Sequence, residues 1–136
     1  MLVFEVWGIM RSETDRSCRV KAARPLRIEE RRLVEALVAS FPGGDHLANN
    51  LEHRLVEEMN DGGMGSLRFV DDGQTDRRFG AAFAEGRFLD EDGVPVSVVL
   101  NLDDRGALFE LDVFKADFSA LKRFPAMADL QIVPPE

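Results

Sequence analysis

The chain has little of what catalytic and metal-binding sites are usually built from. Its 136 residues include one cysteine, Cys18, two histidines, one tryptophan and no tyrosine. A single cysteine excludes an internal disulfide framework, and no apolar run approaches the roughly 18 residues of a membrane helix. The apolar N-terminus carries Glu5 and lacks a basic leader, so it is not typical of a signal peptide. These absences predict a cytoplasmic protein with no membrane contact.

Motifs for nucleotide binding and catalysis are also absent. The glycine-rich stretch Gly62–Ser66 contains no Gly-Lys-Ser/Thr and predicts a tight hairpin, which excludes a phosphate loop. His46 and His53 lie seven residues apart, whereas a zinc site needs several converging nitrogen or sulfur ligands. The sequence therefore assigns no catalytic, cofactor-binding or metal-binding residue.

Composition and charge describe one globular domain with unevenly distributed charge. Hydrophobic residues make up 45% and charged residues 31% of the chain, which is typical of a globular protein. Residues 1–32 hold eight basic and five acidic residues, whereas residues 33–136 hold nine and twenty. The acidic body repels phosphate backbones, so nucleic acid is an unfavoured partner. The basic N-terminal arm is the one segment that remains a candidate to bind it.

The first 24 residues are predicted to be an extension that consists of a strand and a basic arm. Residues 2–7 are rich in β-branched and aromatic side chains, which favours a short strand. Residues 8–24 are polar and aperiodic, and Met10 as an alternative start is a hypothesis. An apolar strand without an intrachain partner can add to the sheet of a neighbouring molecule. The candidate interaction surface consists of Leu2, Phe4, Val6, Trp7, Arg16, Arg19 and Lys21.

One or two helices are predicted before the sheet. Pro25 suits the first turn of a helix because its missing N–H would have no partner there. An apolar stripe at helical spacing follows, and Pro42-Gly43-Gly44 ends the helix. Asp45 is predicted to cap a second short helix that runs to about residue 53. The stripe consists of Leu33, Val34, Leu37, Val38 and Phe41.

Five extended runs separated by Asp/Gly turns predict an antiparallel meander. The runs begin at Leu55 and continue through 67–70, 79–89, 94–102 and 108–114. Five short strands either curl into an open barrel of the SH3 or Sm type or form a flatter sheet with the helices on one face. Small residues on one face of run 79–89 predict a close approach or a bend. Phe109, Leu111 and Val113 are expected to point inward, and Phe118, Leu121 and Phe124 to cover an open end of the sheet.

Aspartates concentrate in the predicted turns, where their side chains hydrogen-bond to nearby backbone. Turns at one end of a meander meet in space, so these carboxylates can form an acidic rim that binds a cation or a basic partner. The spacing at residues 90–92 lacks the ligand ladder of an EF-hand. The rim candidates are Asp61, Asp71, Asp72, Asp90 and Asp92.

Two stretches carry a resemblance to a known family. Met59–Phe69 (MNDGGMGSLRF) and Gly106–Leu121 (GALFELDVFKADFSAL) resemble a family of small, uncharacterised bacterial proteins, a domain of unknown function. The resemblance extends from about Arg24 to Pro125 and implies that the first 23 residues are an extension. It implies no activity, cofactor or site residue.

The sequence therefore predicts an α+β domain over residues 25–136, with one or two N-terminal helices and a five-stranded antiparallel meander. The favoured function is a non-enzymatic interaction module that self-associates as a dimer, with an unidentified protein partner also open. An Sm-like RNA-binding protein is the alternative. A small metal-dependent hydrolase is a weaker one, because it needs turn carboxylates to converge beside an apolar pocket.

Overall fold

The structure, a computed structural model, describes residues 22–70 and 76–134. These residues form one α-helix and a seven-stranded antiparallel sheet with the order β1-β2-β3-β6-β5-β4-β7. The elements are β1 Arg24–Pro25, α1 Ile28–Ala39, β2 Leu55–Glu58, β3 Leu67–Phe69, β4 Phe79–Leu89, β5 Pro95–Asp103, β6 Leu108–Lys115 and β7 Gln131–Val133. No helix within these ranges is long and apolar enough to cross a membrane.

The five predicted strands all exist, but the predicted meander order is wrong. Only β4, β5 and β6 follow one another in the sheet, because β3 pairs with β6 through Leu67↔Leu111 and Arg68↔Glu110. The hairpin β2–β3 therefore lies beside β6, on the side away from β5. Two further strands, β1 and β7, are two and three residues long, too short to show a period in sequence. They lie at opposite edges and do not pair, so the sheet is not a closed barrel.

The predicted helix boundaries also need correction. Pro25 belongs to β1 and pairs with Leu55, so the helix begins three residues later, at Ile28. The second helix is absent from the described residues: Asp45–Ala48 and Leu51–His53 are 3-10 turns, as is Met127–Asp129. Asn50, at a left-handed φ of 60°, interrupts the helical path between the first two turns.

The core lies between α1 and one face of the sheet. The apolar stripe of the helix is buried as predicted, apart from Phe41, which is half-buried. Inward-facing side chains of the sheet complete the core, among them Val56, Leu67, Phe88, Val96, Val98, Leu100, Leu111 and Val113. Leu121 and Phe124, which were expected to cover an open end of the sheet, pack against this core. Phe118 does not: its side chain is 69% exposed.

Phe109 is buried as expected, but its ring does not join the core cluster. The ring lies between the guanidinium groups of Arg68 and Arg77, each 5.3 Å from its centroid. A register shift between Asn101 and Leu102 on the neighbouring strand accounts for this, because a β-bulge interrupts the alternation of faces.

The small residues of β4 permit the predicted close approach. A Cβ at Gly80 would lie 2.2 Å from the carbonyl oxygen of Asp103, and a Cβ at Gly86 would lie 2.9 Å from Leu130 Cδ1. The strand also has register shifts between Phe79 and Ala81 and between Ala82 and Ala84. Close approach and irregular pairing therefore occur on the same strand.

The sheet face opposite the core is termed the open face. The strand register places paired residues side by side on it, because side chains on a strand alternate between the two faces. Its residues include Glu57, Arg68, Glu85, Arg87, Leu89, Pro95, Ser97, Val99, Glu110, Asp112 and Phe114.

Candidate functional site

The glycine loop between β2 and β3 is organised by the carboxylate of Asp61. That carboxylate accepts hydrogen bonds from the N–H groups of Met64 (3.1 Å) and Ser66 (2.9 Å). Gly62, Gly63 and Gly65 have φ values of 76°, 84° and 106°, a conformation that glycine adopts without a steric penalty. The predicted hairpin forms, since β2 pairs with β3, but it is not tight, because eight residues, 59–66, separate the two strands.

A buried lysine holds the neighbouring end of the sheet together. The ammonium of Lys115 has no solvent exposure and donates to Asp90 Oδ2 (2.8 Å), Asp92 Oδ2 (2.7 Å) and the carbonyl oxygen of Ala120 (3.1 Å). Its three donors therefore have three acceptors. Burial lowers the pKa of Lys115, but the bonds to Asp90 and Asp92 outweigh burial and raise it overall.

Asp90 completes this buried ion pair. Its carboxylate also accepts the backbone N–H groups of Glu91 (2.6 Å), Lys122 (2.8 Å) and Arg123 (3.0 Å). Burial raises the pKa of Asp90, but the bond from Lys115 and these backbone bonds lower it to about 2. Both partners are therefore fixed in their charged forms near neutral pH, which suits a structural role rather than general acid–base catalysis.

A cleft of about 280 Å³ opens between the glycine loop and the start of α1. Arg24 forms one wall, with both terminal nitrogens 2.9 Å from the carboxylate of Glu30 and Nε 3.1 Å from Glu58. Glu30 is 2% exposed and also accepts the N–H of Arg27 (2.7 Å), which caps the helix. The charged groups of this wall are thus paired with one another.

A second buried ion pair lies at the opposite end of the sheet. Arg77 Nε is 3.1 Å from Asp103 Oδ2, and the same guanidinium donates to the carbonyl oxygens of Phe69 (2.7 Å) and Leu108. Arg77 therefore links β3 to β6 in addition to the two residue pairs between these strands. Burial raises the pKa of Asp103, but the backbone N–H groups of Ala107 and Arg105, followed by Arg77, lower it overall.

The open face ends in an exposed apolar surface, termed the aromatic patch, formed by Leu89, Pro95, Phe114 and Phe118. Leu89 is 66% exposed, Phe114 46% and Phe118 69%. The rings of Phe114 and Phe118 form an edge-to-face pair with centroids 5.2 Å apart. Phe118 has a φ of 65°, a left-handed conformation that is an outlier for a bulky residue.

A groove of about 490 Å³ adjoins the aromatic patch on the side of β7. Its lining residues include apolar groups from the end of β4 and the start of β5, and polar groups beside β7. They are Arg87, Phe88, Leu89, Pro95, Asp129 and Gln131.

The predicted site residues fall into three groups. The N-terminal interaction surface (Leu2, Phe4, Val6, Trp7, Arg16, Arg19 and Lys21) and two rim candidates, Asp71 and Asp72, lie outside the described residues. Asp61, Asp90 and Asp92 lie at the same end of the sheet. Each accepts hydrogen bonds that organise the fold, and Asp90 and Asp92 converge on Lys115. Within residues 22–70 and 76–134, no group of three or more His, Cys, Asp or Glu could hold a metal ion.

Sequence reasoning missed Lys115 and Phe118. A signal for Lys115 existed, because it continues the inward alternation of Leu111 and Val113. A lysine on a core-facing position requires a buried carboxylate partner. Phe118 had no such signal, since its apolar character predicted burial and nothing local indicated a positive φ.

Residues 23–125 match the family described as domain of unknown function DUF6984, and the chain belongs to that family. The matched range agrees with the extent of the resemblance seen in the sequence. No curated protein and no solved structure matches the chain.

Proposed function

We propose that this protein is an interaction module that self-associates through the aromatic patch on the open face of its sheet. The family to which the chain belongs is a domain of unknown function and indicates no activity or partner. The observation that carries the proposal is Phe118, a large apolar side chain that is 69% exposed and has a φ of 65°.

Phe118 has two unfavourable features that binding would offset. A left-handed backbone at a non-glycine residue costs about 1–3 kcal/mol and concentrates at functional sites. Exposed apolar groups gathered in one patch mark interaction surfaces, whereas single exposed ones are ordinary. Phe118 joins Phe114 and Leu89 in such a patch, and large aromatic anchors of this kind often carry most of the binding energy of an interface.

The charge of the open face argues against a polyanion as its partner. Its carboxylates belong to Glu57, Glu85, Glu110 and Asp112, whereas its guanidinium groups belong to Arg68 and Arg87. This excess of negative charge disfavours an RNA backbone. No described feature therefore favours the Sm-like RNA-binding alternative.

The proposal is tested by the mass of the full-length protein in solution. We expect light scattering at about 50 µM to give twice the 15.2 kDa of one chain, since interfaces of ordinary size often bind in the micromolar range or tighter. Phe118→Asp should return the mass to that of a monomer. Phe79→Asp is the matched control, because Phe79 is 57% exposed at the opposite end of β4.

Circular dichroism should show that both variants keep the wild-type fold. A wild-type monomer at every concentration would overturn the proposal. Equal dissociation by Phe79→Asp and Phe118→Asp would also overturn it, because it would separate self-association from the aromatic patch.

A further inference from the structure

We infer that the N-terminal segment of this chain, residues 2–7, covers the chain's own aromatic patch. The basic arm, of which residues 8–21 lie like this segment outside the described residues, holds it there by pairing with carboxylates of the open face. The aromatic patch is also the surface of the self-association proposed above. The cover therefore limits that association, and this consequence rests on the proposed function.

The chain reaches the sheet at the end that carries the aromatic patch. Strand β1 is antiparallel to β2, and β2 ends at the glycine loop, so the chain enters β1 beside that loop. The glycine loop adjoins the end of β6, since the hydroxyl of Ser66 donates to the carbonyl oxygen of Val113 (3.2 Å). The residues before Arg24 therefore begin at the end of the sheet where Phe118 follows β6.

The basic arm is long enough to bring the N-terminal segment to the patch. Neighbouring strands lie about 4.8 Å apart, so the three steps from β1 to β6 amount to roughly 14 Å. The 14 residues of the arm span at most about 46 Å when they are fully extended. Tethering at this range gives the segment an effective concentration on the order of millimolar, so even a weak contact with the patch is populated.

The charge of the open face favours the basic arm as its occupant. Residues 8–21 hold four basic and two acidic residues, the basic ones being Arg11, Arg16, Arg19 and Lys21. The open face has the opposite excess, four carboxylates against two guanidinium groups. Glu57 lies on β2, next to the strand that the arm enters, and has no ion pair with another described residue. The arm therefore neutralises this face, whereas a second copy brings like charge to it.

The N-terminal segment matches the aromatic patch in polarity. Five of its six residues are apolar, and Phe4 and Trp7 carry aromatic rings. On the patch, Phe114 and Phe118 expose an edge-to-face pair of rings, and the adjoining groove adds further apolar groups. Contact removes both apolar surfaces from water, which supplies the attraction, while the charges of the arm fix the position.

One surface that serves two contacts makes the cover a regulator of self-association. Two copies associate only when both patches are uncovered, so a segment that covers half of the patches weakens the dimer about fourfold. Phe4→Ser removes a ring from the segment without a change in net charge. We expect it to lower the dissociation constant of the full-length dimer about fourfold in analytical ultracentrifugation. Phe79→Ser is the control and should behave as wild type, because Phe79 is exposed at the opposite end of β4.

Cross-linking tests the cover itself in the full-length chain that carries Cys18→Ser. Glu5→Cys places a thiol in the N-terminal segment, and Ser97→Cys places a second thiol on β5, next to Phe114. We expect a short bis-maleimide to join the two within one chain, at a protein concentration too low for dimers. In the control, Arg32→Cys replaces Ser97→Cys. Arg32 is closer to the segment in sequence and is exposed, but it lies on α1, on the other side of the sheet.

The yield of the cross-link within one chain decides between the outcomes. It should be several-fold higher for Ser97→Cys than for Arg32→Cys and should fall at high salt, which screens the pairs made by the arm. Equal yields in variants that keep the wild-type circular dichroism, or cross-links found only between chains, would overturn the cover. Phe4→Ser dimers no tighter than those of wild type would overturn the regulation. A wild type and a Phe4→Ser variant that both stay monomeric would instead refute the proposed function and leave the cover standing.

Discussion

Replacing Asp90 with asparagine should remove a large part of the stability of this domain. The substitution keeps the shape of the side chain but leaves Lys115, which has no solvent exposure, with one carboxylate partner instead of two. Removing one partner of a buried ion pair costs about 3–5 kcal/mol. Because Asp92 and the carbonyl oxygen of Ala120 remain, we expect a loss near the lower end, about 3 kcal/mol.

The pKa of Asp90 gives a second measure of the same interaction. Its value falls from the ordinary 3.8 to about 2 in the fold. A depression of that size corresponds to about 2 kcal/mol of pH-dependent stability. This figure is smaller because it counts only the difference between charged and neutral Asp90, whereas the substitution also disturbs the bonds to three backbone N–H groups. We therefore expect the larger loss at neutral pH.

The sign of the pH dependence follows from the depressed pKa of Asp90. A carboxylate with a lowered pKa in the fold stabilises the protein fully above its unfolded pKa, and this contribution is lost as pH falls toward the folded pKa. The free-energy difference between wild type and Asp90→Asn should therefore be constant from pH 7 to about pH 5. It should shrink between pH 5 and pH 2.

Urea unfolding monitored by circular dichroism measures both effects, and thermal melts should show a drop of about 10 °C in Tm at pH 7. Asp45→Asn is the control, because Asp45 is exposed on a 3-10 turn and carries the same charge change. A loss below 1 kcal/mol, or a difference between the two proteins that stays constant down to pH 2, would refute this reasoning.

Two further changes test the sheet and its open face. Gly80→Ala should destabilise the domain by about 1–3 kcal/mol in urea unfolding, because the new Cβ would lie 2.2 Å from the carbonyl oxygen of Asp103; a variant as stable as wild type would show that β4 shifts freely. Asp112→Asn should make the domain more stable than wild type at neutral pH in urea unfolding, because the raised pKa of Asp112 means that its charged form is unfavourable in the fold. Asp45→Asn, with the same change in net charge, should be as stable as wild type, and an Asp112→Asn variant no more stable than wild type would refute this expectation.

The pH range of the second test reflects the surroundings of Asp112. Burial, followed by the charge of Glu110, raises the pKa of Asp112, although the bond from Asn101 (2.9 Å) and the charge of Arg68 act in the opposite direction. A raised pKa means that protonation begins at a higher pH than for an ordinary aspartate. The stability gained by Asp112→Asn is therefore largest at neutral pH and disappears as pH falls and Asp112 is protonated.

Features that depend on local alternation were predictable from the sequence. The inward positions of β5 and β6 could be identified because Val96, Val98, Leu111 and Val113 recur at a period of two. The strand order could not, because a period describes the faces of a strand and says nothing about its neighbours. The pairing of Leu67 with Leu111 joins positions 44 residues apart, and no local signal specifies it.

The aromatic patch was unpredictable for a different reason. An exposed phenylalanine and a buried one look alike in sequence, and the expectation that Phe118 covers the sheet followed from its apolar character alone. The N–H of Phe118 donates a hydrogen bond to the carbonyl oxygen of Lys115 (2.9 Å), a contact that its apolar character does not predict.

These contacts connect the buried ion pair to the proposed interface. The segment that carries Phe118 is held at Ala120 by the ammonium of Lys115, and at residues 122 and 123 by the carboxylate of Asp90. A strained, exposed side chain persists only where the surrounding structure over-determines it. The buried pair therefore keeps Phe118 in its outward position, and Asp90→Asn should weaken self-association even under conditions where the domain remains folded. Dimers that survive this substitution unchanged would show that the aromatic patch keeps its conformation without Asp90.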